Sequence, residues 1–353
     1  MIKEAIAKAI RREDLTQGEM EQAMEEIMTG QATPAQIGAL LTALRMKGET
    51  VDEIAGAARV MRAKATRIDV SNHLLNMDRD EINVEDETIL DTCGTGGDGT
   101  NTFNISTATA LVAAGAGVRV AKHGNRAVSS VCGSADVLEC LGVRLDLPPE
   151  AVASCIRDLG IGFLYAPLFH GAMKHAAAPR RELGIRTIFN LLGPLTNPAG
   201  ATVQVLGVYD QGLTDKMARV LGKLGSREAF VVCGEGTFDE ISICGPTRVS
   251  HLKDGVVKNF DVVPEDFGFT RSSADAIRGG DARENARIIR QLLDGERGPR
   301  RDIVLMNAAA AFLVAGLDGN LKAGIERAAG SIDAGHAREK LDALIHYTQT
   351  RGA

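Results

Sequence analysis

The sequence predicts an α/β protein: a small all-helical N-terminal domain, then a larger α/β domain on a mainly parallel central sheet. Three observations predict it. Residues 1–66 carry repeated helix-start signals and no strand pattern. From residue 88, β-rich apolar runs alternate with helical stretches. The chain is 353 residues long, enough for about two domains, each with its own core.

The helical part reads first. Ile2, Ile6 and Ile10 recur every four residues, as on one helical face. Thr16…Glu19, Thr33…Gln36 and Thr50…Glu53 are capping boxes, in which the threonine accepts an orphan N–H and its partner reaches back. Pro34 suits a first helical position, and Gly30 and Gly48 stand where helices stop. Helices are therefore expected over 17–29, 34–47 and 51–65. Residues 67–87 lack a clean period and turn acidic, so they read as a linker with a solvated face.

The runs TILDTCG, VRVAKHG, IGFLYA, TVQVLGVYD and EAFVVCG read as strands. Between and after them, helices are expected over 106–115, 133–141, 149–159, 213–224, 283–294, 304–316 and 335–347. Residues 241–262 read as short antiparallel strands joined by turns. The amphipathic stretch 171-GAMKHAAAPRRELG-184 could pack back on the N-terminal helices. The expected division is a helical domain over 1–70, completed by helices near 171–186, and an α/β domain over 88–353.

Composition narrows the function. A net charge of −6 argues against a dedicated nucleic-acid binder. Cys93, Cys132, Cys140, Cys155, Cys233 and Cys244 form no CxxC pair; they read as reduced thiols of a cytoplasmic protein rather than zinc ligands. The N-terminus is too charged for an export signal, and no apolar run approaches the roughly 20 residues that span a bilayer.

The richest stretch is 91-DTCGTGGDGTNTFNIST-107. Gly94, Gly96 and Gly99 match GxGxxG, which alone suggests a Rossmann dinucleotide site. Two features oppose that: TNTFN separates the motif from the helix, and the acid expected about 20 residues on is replaced by basic RVAKHGNR. A phosphate cradle fits better. Ser106 and Thr107 open a helix, where free N–H groups favour phosphate. The next loop, 122-KHGNRAVSS-130, offers Lys122, Asn125, Arg126, Ser129 and Ser130, and Ser134 opens a further helix. Loops at the carboxyl ends of parallel strands converge on one crevice, suited to a polyanion with a sugar attached. Asp98 in the glycine loop is then a puzzle, since an anion beside phosphate needs a metal or a sugar hydroxyl between them.

Together GTGGDGTNTFNIST, KHGNRAVSS, GSADVLECLG and TIFNLLGPLTNP resemble the anthranilate phosphoribosyltransferases, as does the helical stretch ALLTALRMKGETVDEIAGAARVMR. The resemblance covers nearly the whole chain; residues 67–87 look like an insertion relative to it. It implies a helical domain and an α/β domain with the site between them, in a fold class shared with nucleoside phosphorylases. It implies transfer of a phosphoribosyl group from 5-phosphoribosyl 1-diphosphate to anthranilate with Mg²⁺, and homodimers joined through the helical domain.

Residue roles follow from the same resemblance. Gly94, Gly97, Asp98, Thr102, Asn104, Ile105, Ser106, Thr107, Lys122, His123, Gly124, Asn125, Arg126, Ala127, Val128, Ser129, Ser130 and Ser134 would surround the phosphoribosyl diphosphate. Gly94, Asn125 and Arg180 would bind anthranilate, with Gly193 and Pro194 shaping the nearby wall. Arg181, about 100° further round a helix, should be solvated. A DE pair is by itself more often surface than site, but the resemblance makes Asp239 and Glu240 magnesium carboxylates, with Ser106 as a further ligand. Asp98 would then face a metal-bound water or a ribose hydroxyl. No dedicated general base is expected, because an aniline nitrogen is already a free base at neutral pH. Two rivals stay open: a pyrimidine nucleoside phosphorylase, and a non-enzymatic nucleic-acid-binding relative.

Overall fold

The computed structural model describes residues 1–70, 88–127 and 131–351. The segment 71–87, most of the expected linker, lies outside them, as do Val128, Ser129 and Ser130. The N-terminal part is four helices, α1 (Ile2–Ile10), α2 (Gln17–Met28), α3 (Pro34–Lys47) and α4 (Val51–Lys64). All three expected capping boxes form, with each threonine accepting the N–H three residues on. The face of α1 differs from the expectation. Ile2, Ala5 and Ala9 are buried while Ile10 is 67% exposed. Two steps of four residues overshoot two turns by about 80°, so Ile10 has rotated off the face that Ile2 buries.

The second part is a seven-stranded sheet in the order β3-β2-β1-β4-β5-β6-β7. The strands β1 (Ile89–Gly94), β2 (Arg119–Gly124), β3 (Ile161–Tyr165), β4 (Val203–Gly207) and β5 (Glu228–Gly234) run parallel. The hairpin β6 (Thr247–Lys253) and β7 (Val256–Val262) is antiparallel, as expected. The chain builds outward from β1 to β3, then returns to place β4 on the other side of β1. The strand order reverses there, and a crevice opens outside the carboxyl ends of the flanking strands.

Helices cover both faces: α5 (Ile105–Gly115), α6 (Ser134–Leu141), α7 (Pro149–Leu159), α8 (Ala166–Phe169), α9 (Lys174–Leu183), α10 (Phe189–Leu192), α11 (Thr214–Lys223), α12 (Ala282–Leu293), α13 (Pro299–Val314), α14 (Leu321–Asp333) and α15 (His336–Arg351). Alternating strand residues serve the two faces. Val203, Val205, Phe230 and Val232 join the core with α5 and α13, whereas Leu206, Ala229, Val231 and Cys233 join α11 and the N-terminal helices in a second core. Ala176 of α9 and Phe189, Leu191 and Leu192 of α10 belong to that second core too. α14 was not expected. Gly324 and Gly330 sit inside it, each unfavourable in a helix by about 1 kcal/mol relative to alanine. Gly324 has a packing reason, because a Cβ there would lie 2.8 Å from Cα of Ala309 on α13.

Candidate active site

The glycine loop leaves β1 with Gly96 and Gly97 at φ +66° and +70°, a region favoured by glycine. The 239–240 pair crosses to meet it. Asp239 Oδ2 accepts the Gly96 N–H at 2.8 Å, and Glu240 Oε1 accepts the Ser106 N–H at 3.1 Å. That approach needs bare backbone on both strands flanking the switch point. A Cβ on Gly94 would lie 2.4 Å from Asp239 Oδ2, and one on Gly207 would lie 1.5 Å from the Asp239 carbonyl oxygen.

Charge accumulates here with no arginine ion pair among the described residues. Burial first, then the neighbouring Asp98 charge, pushes the Asp239 carboxyl up; burial and then Asp239 push Glu240 up as well. Asp98 accepts from the Thr100 N–H and hydroxyl, and its carbonyl accepts from Thr237. Lys122, 4% exposed, donates to the Thr92 carbonyl at 2.5 Å and lies 3.3 Å from Ser106 Oγ. Carboxylates crowded against their own repulsion, with Glu240 on the Ser106 amide, are hard oxygen donors of the kind that would hold Mg²⁺.

The structure treats the other expected residues unequally. Thr107 is buried, and its hydroxyl has no protein partner among the described residues. The Ile105 side chain is in the core, so only its backbone can face a ligand. Thr102 pairs with Arg278 in an isolated antiparallel bridge. The Asn104 amide is engaged by protein: Oδ1 accepts from Asn285, and Nδ2 donates to the Cys132 carbonyl. Arg126 forms ion pairs with Asp136 and Glu139, and the Ala127 N–H is held by Asp136. The Asn125 Oδ1 accepts from the Arg126 N–H, while its carbonyl accepts from Ser134 Oγ. A Cβ on Gly124 would lie 2.1 Å from that same Oγ.

On the other side, the Arg180 guanidinium lies 4.9 Å from the Phe189 ring centroid, and burial lowers its pKa. Arg181 is exposed. His123 and His170 are buried with their Nε2 atoms 3.2 Å apart, and the Gly193 carbonyl accepts from the His123 ring. Burial holds His123 down at about 3 and His170 at about 4, so both are neutral at pH 7.

Family models match at this point. Residues 86–338 match the "Glycosyl transferase family, a/b domain" and residues 3–65 the "Glycosyl transferase family, helical bundle domain". The chain is 58% identical to the anthranilate phosphoribosyltransferase of Pelobacter propionicus over 99% of its own length and 100% of that protein. It is 59% identical to that of Geobacter sulfurreducens over 99% of each. The chain belongs to the anthranilate phosphoribosyltransferase family. Among solved structures of the family, the Thermus thermophilus enzyme is 44% identical with a TM-score of 0.89, over 98% of this chain and 99% of that one. The Saccharomyces cerevisiae enzyme, in complex with PRPP and Mg, is 30% identical with a TM-score of 0.86, over 99% and 98%. With the family fixed, the nucleoside phosphorylase and nucleic-acid readings fall.

Several residues at this site escaped the sequence reading. Gly207 had no motif around it. Asp91, fully buried, accepts the His123 N–H and an N–H of Asn197, tying β1 to the KHGN and GPLTNP segments. Arg186 donates to the Gly97 carbonyl and covers the Tyr209 ring at 3.9 Å. A charged residue inside the apolar run TILDTCG was the one available signal for Asp91.

Proposed function

We propose that one crevice, at the carboxyl ends of β1 and β4, carries out the family reaction. The enzyme transfers the phosphoribosyl group of 5-phosphoribosyl 1-diphosphate to anthranilate and releases diphosphate, the second step of tryptophan biosynthesis from chorismate. The observation that carries the assignment is the contact of Asp239 and Glu240 with the Gly96 and Ser106 amides. It unites the expected metal carboxylates with the expected phosphate cradle.

In this reading Asp239, Glu240 and the Ser106 hydroxyl hold Mg²⁺, which when bound supplies the counter-charge for diphosphate. The unpartnered Thr107 hydroxyl in the first turn of α5 holds a phosphate oxygen, and the helix dipole favours the negative charge that grows there. Lys122 spends two ammonium protons on Thr92 and Ser106, leaving the third for the leaving group. As the C1–O bond breaks, positive charge builds on the ribose. The anthranilate amine attacks the opposite face of C1, then loses its proton to water. Arg180 takes the anthranilate carboxylate, for which a guanidinium is the fitting fork. Alignment and electrostatics carry the catalysis. Asp98 faces a metal-bound water or a ribose hydroxyl.

The same reading treats residues 1–70 and 171–186 as one helical unit and joins two copies through it. The exposed Ile10 and Met46, on α1 and α3, support that choice. The six free thiols fit the reducing cytoplasm. Among the described residues no helix is long and apolar enough to cross a membrane.

Loss of anthranilate fluorescence on adding 5-phosphoribosyl 1-diphosphate and Mg²⁺ tests the reaction. Arg180→Ala should raise the KM for anthranilate about 10-fold or more, as loss of a charged hydrogen bond implies, and leave that for the diphosphate substrate unchanged. Equal rises in both would remove Arg180 from the anthranilate site.

A further inference from the structure

The metal carboxylates sit on a turn that side chains from elsewhere must hold still. Phe238 and Ile241, flanking the pair, are 4% and 1% exposed. On the Phe238 side the turn is tied by backbone, because the Gly234 N–H donates to the Phe238 carbonyl at 2.8 Å. On the Ile241 side the Ser242 N–H donates to Thr247 Oγ1 at 2.9 Å, and Ile241 itself is held by one residue of α13. Asn307, 1% exposed, accepts the Ile241 N–H on Oδ1 at 3.0 Å and donates from Nδ2 to the Ile241 carbonyl at 3.0 Å. Its second amide proton goes to the Ile303 carbonyl at 2.9 Å. Both amide protons are thereby used, and the orientation of the amide is fixed, since only this one gives all three backbone groups a partner.

The amide copies one rung of a β-ladder. The Ile241 N–H belongs to the planar peptide that follows Glu240, so fixing it fixes the backbone from which the Glu240 side chain departs. An asparagine within the apolar run VLMNAAAAFLV gains nothing for the helix itself. Its cost is offset only by the turn that it holds.

We propose that Asn307 is a positioning residue for the metal site: its side-chain amide clamps Ile241 and thereby aims Glu240, and Asp239 beside it, at the metal and diphosphate. The inference rests on the reading of those two carboxylates as metal ligands, and it names a residue that touches neither metal nor substrate. A group that orients ligands in this way affects metal affinity by about 10–100-fold.

The test compares Asn307→Ser and Glu240→Gln with the parent by calorimetric titration of 5-phosphoribosyl 1-diphosphate in Mg²⁺. Asn307→Ser should weaken binding about tenfold or more, raise the Mg²⁺ concentration needed for half-maximal rate, and leave the anthranilate KM unchanged. A general loosening of the fold would raise both constants together. Hydrogen exchange in the parent chain gives an independent reading: the Ile241 amide should exchange with the slow amides of the core. Parent-like affinity in a folded Asn307→Ser, a matching rise in anthranilate KM, or an Ile241 amide exchanging like an open turn would each overturn the inference. If Glu240→Gln binds like the parent, the carboxylate assignment itself fails. If Glu240→Gln weakens binding and Asn307→Ser does not, only the clamp fails.

Discussion

Asp239, proposed as a metal carboxylate, depends on what its neighbours lack. Its carbonyl and carboxylate fit only because Gly207 and Gly94 carry no side chain. The sequence made the carboxylate pair legible, through resemblance, but not Gly207, whose role exists only once β4 lies beside β1. Arg126 shows the opposite limit. It stands in a donor-rich motif, yet its partners Asp136 and Glu139 are supplied by α6, and no local pattern announces that pairing. Asn104 is likewise taken up by Asn285, 181 positions away. The two buried histidines carry a prediction. Their folded pKa values, about 3 and about 4, lie below the ordinary 6.5, with burial as the chief cause. The unfolded chain therefore binds more protons below pH 6.5, and their contribution to stability is complete above 6.5 and is lost as pH falls toward 4 and 3. Urea titrations of the parent and of His170→Phe between pH 6.5 and 4 should show a steeper loss in the parent, by up to about 1.4 kcal/mol per pH unit for one proton. Parallel curves would mean that His170 is protonated in the folded state.

Helix boundaries were the most legible elements, because their signals are local. The capping boxes set the starts of α2, α3 and α4, and Gly48, at φ +89°, ends α3. Glu53 does more than cap. Buried completely, it accepts from the Leu15 N–H and the Thr50 N–H and pairs with Lys47, itself 4% exposed. Glu19 makes the equivalent cap at a surface position. Thr16→Ala should cost about 1 kcal/mol, the ordinary value of a cap, whereas Glu53→Ala should cost about 2 kcal/mol or more by leaving the Leu15 and Thr50 amides without an acceptor. Denaturant midpoints of the two variants decide it, and equal losses would show that Glu53 acts only as a cap. The start of α13 was read too late, at 304 instead of Pro299. Its first turn, PRRD, looks like surface loop, and Arg301 becomes buried only through its ion pair with Asp333 of α14. α14 was missed for its glycines, and the close approach that explains Gly324 belongs to tertiary packing. Helix faces are less secure than helix ends, as Ile10 shows, because a four-residue repeat drifts around the cylinder.

At the scale of the whole molecule, the strand order gathers the parts of the proposed site at one place. β1 sends its loop to the crevice, β2 brings Lys122 and His123, and the turn after β5 returns Asp239 and Glu240 over β4. Alternation of strands and helices predicted the parallel sheet, and the motifs pointed to the loops of the proposed site. The strand order itself had no local signature. The helical part leaves Ile10 and Met46 at 67% and 71% exposure, and the Lys47–Asp14 ion pair at 2.7 Å ties the end of α3 to the loop between α1 and α2. Exposed large apolar side chains on α1 and α3 fit the proposed interface between copies. Ile10→Glu with Met46→Glu should convert a dimer into a folded monomer by sedimentation, and an unchanged mass would move the interface elsewhere. The most direct test of the site as a whole is calorimetric titration of 5-phosphoribosyl 1-diphosphate, with and without Mg²⁺, into the parent and the Asp239→Asn, Glu240→Gln double variant. The parent should bind far more tightly with Mg²⁺ than without, and the double variant should lose that difference while unfolding at a temperature no lower than the parent's. A double variant that keeps the full Mg²⁺ enhancement would contradict the assignment of the crevice between β1 and β4.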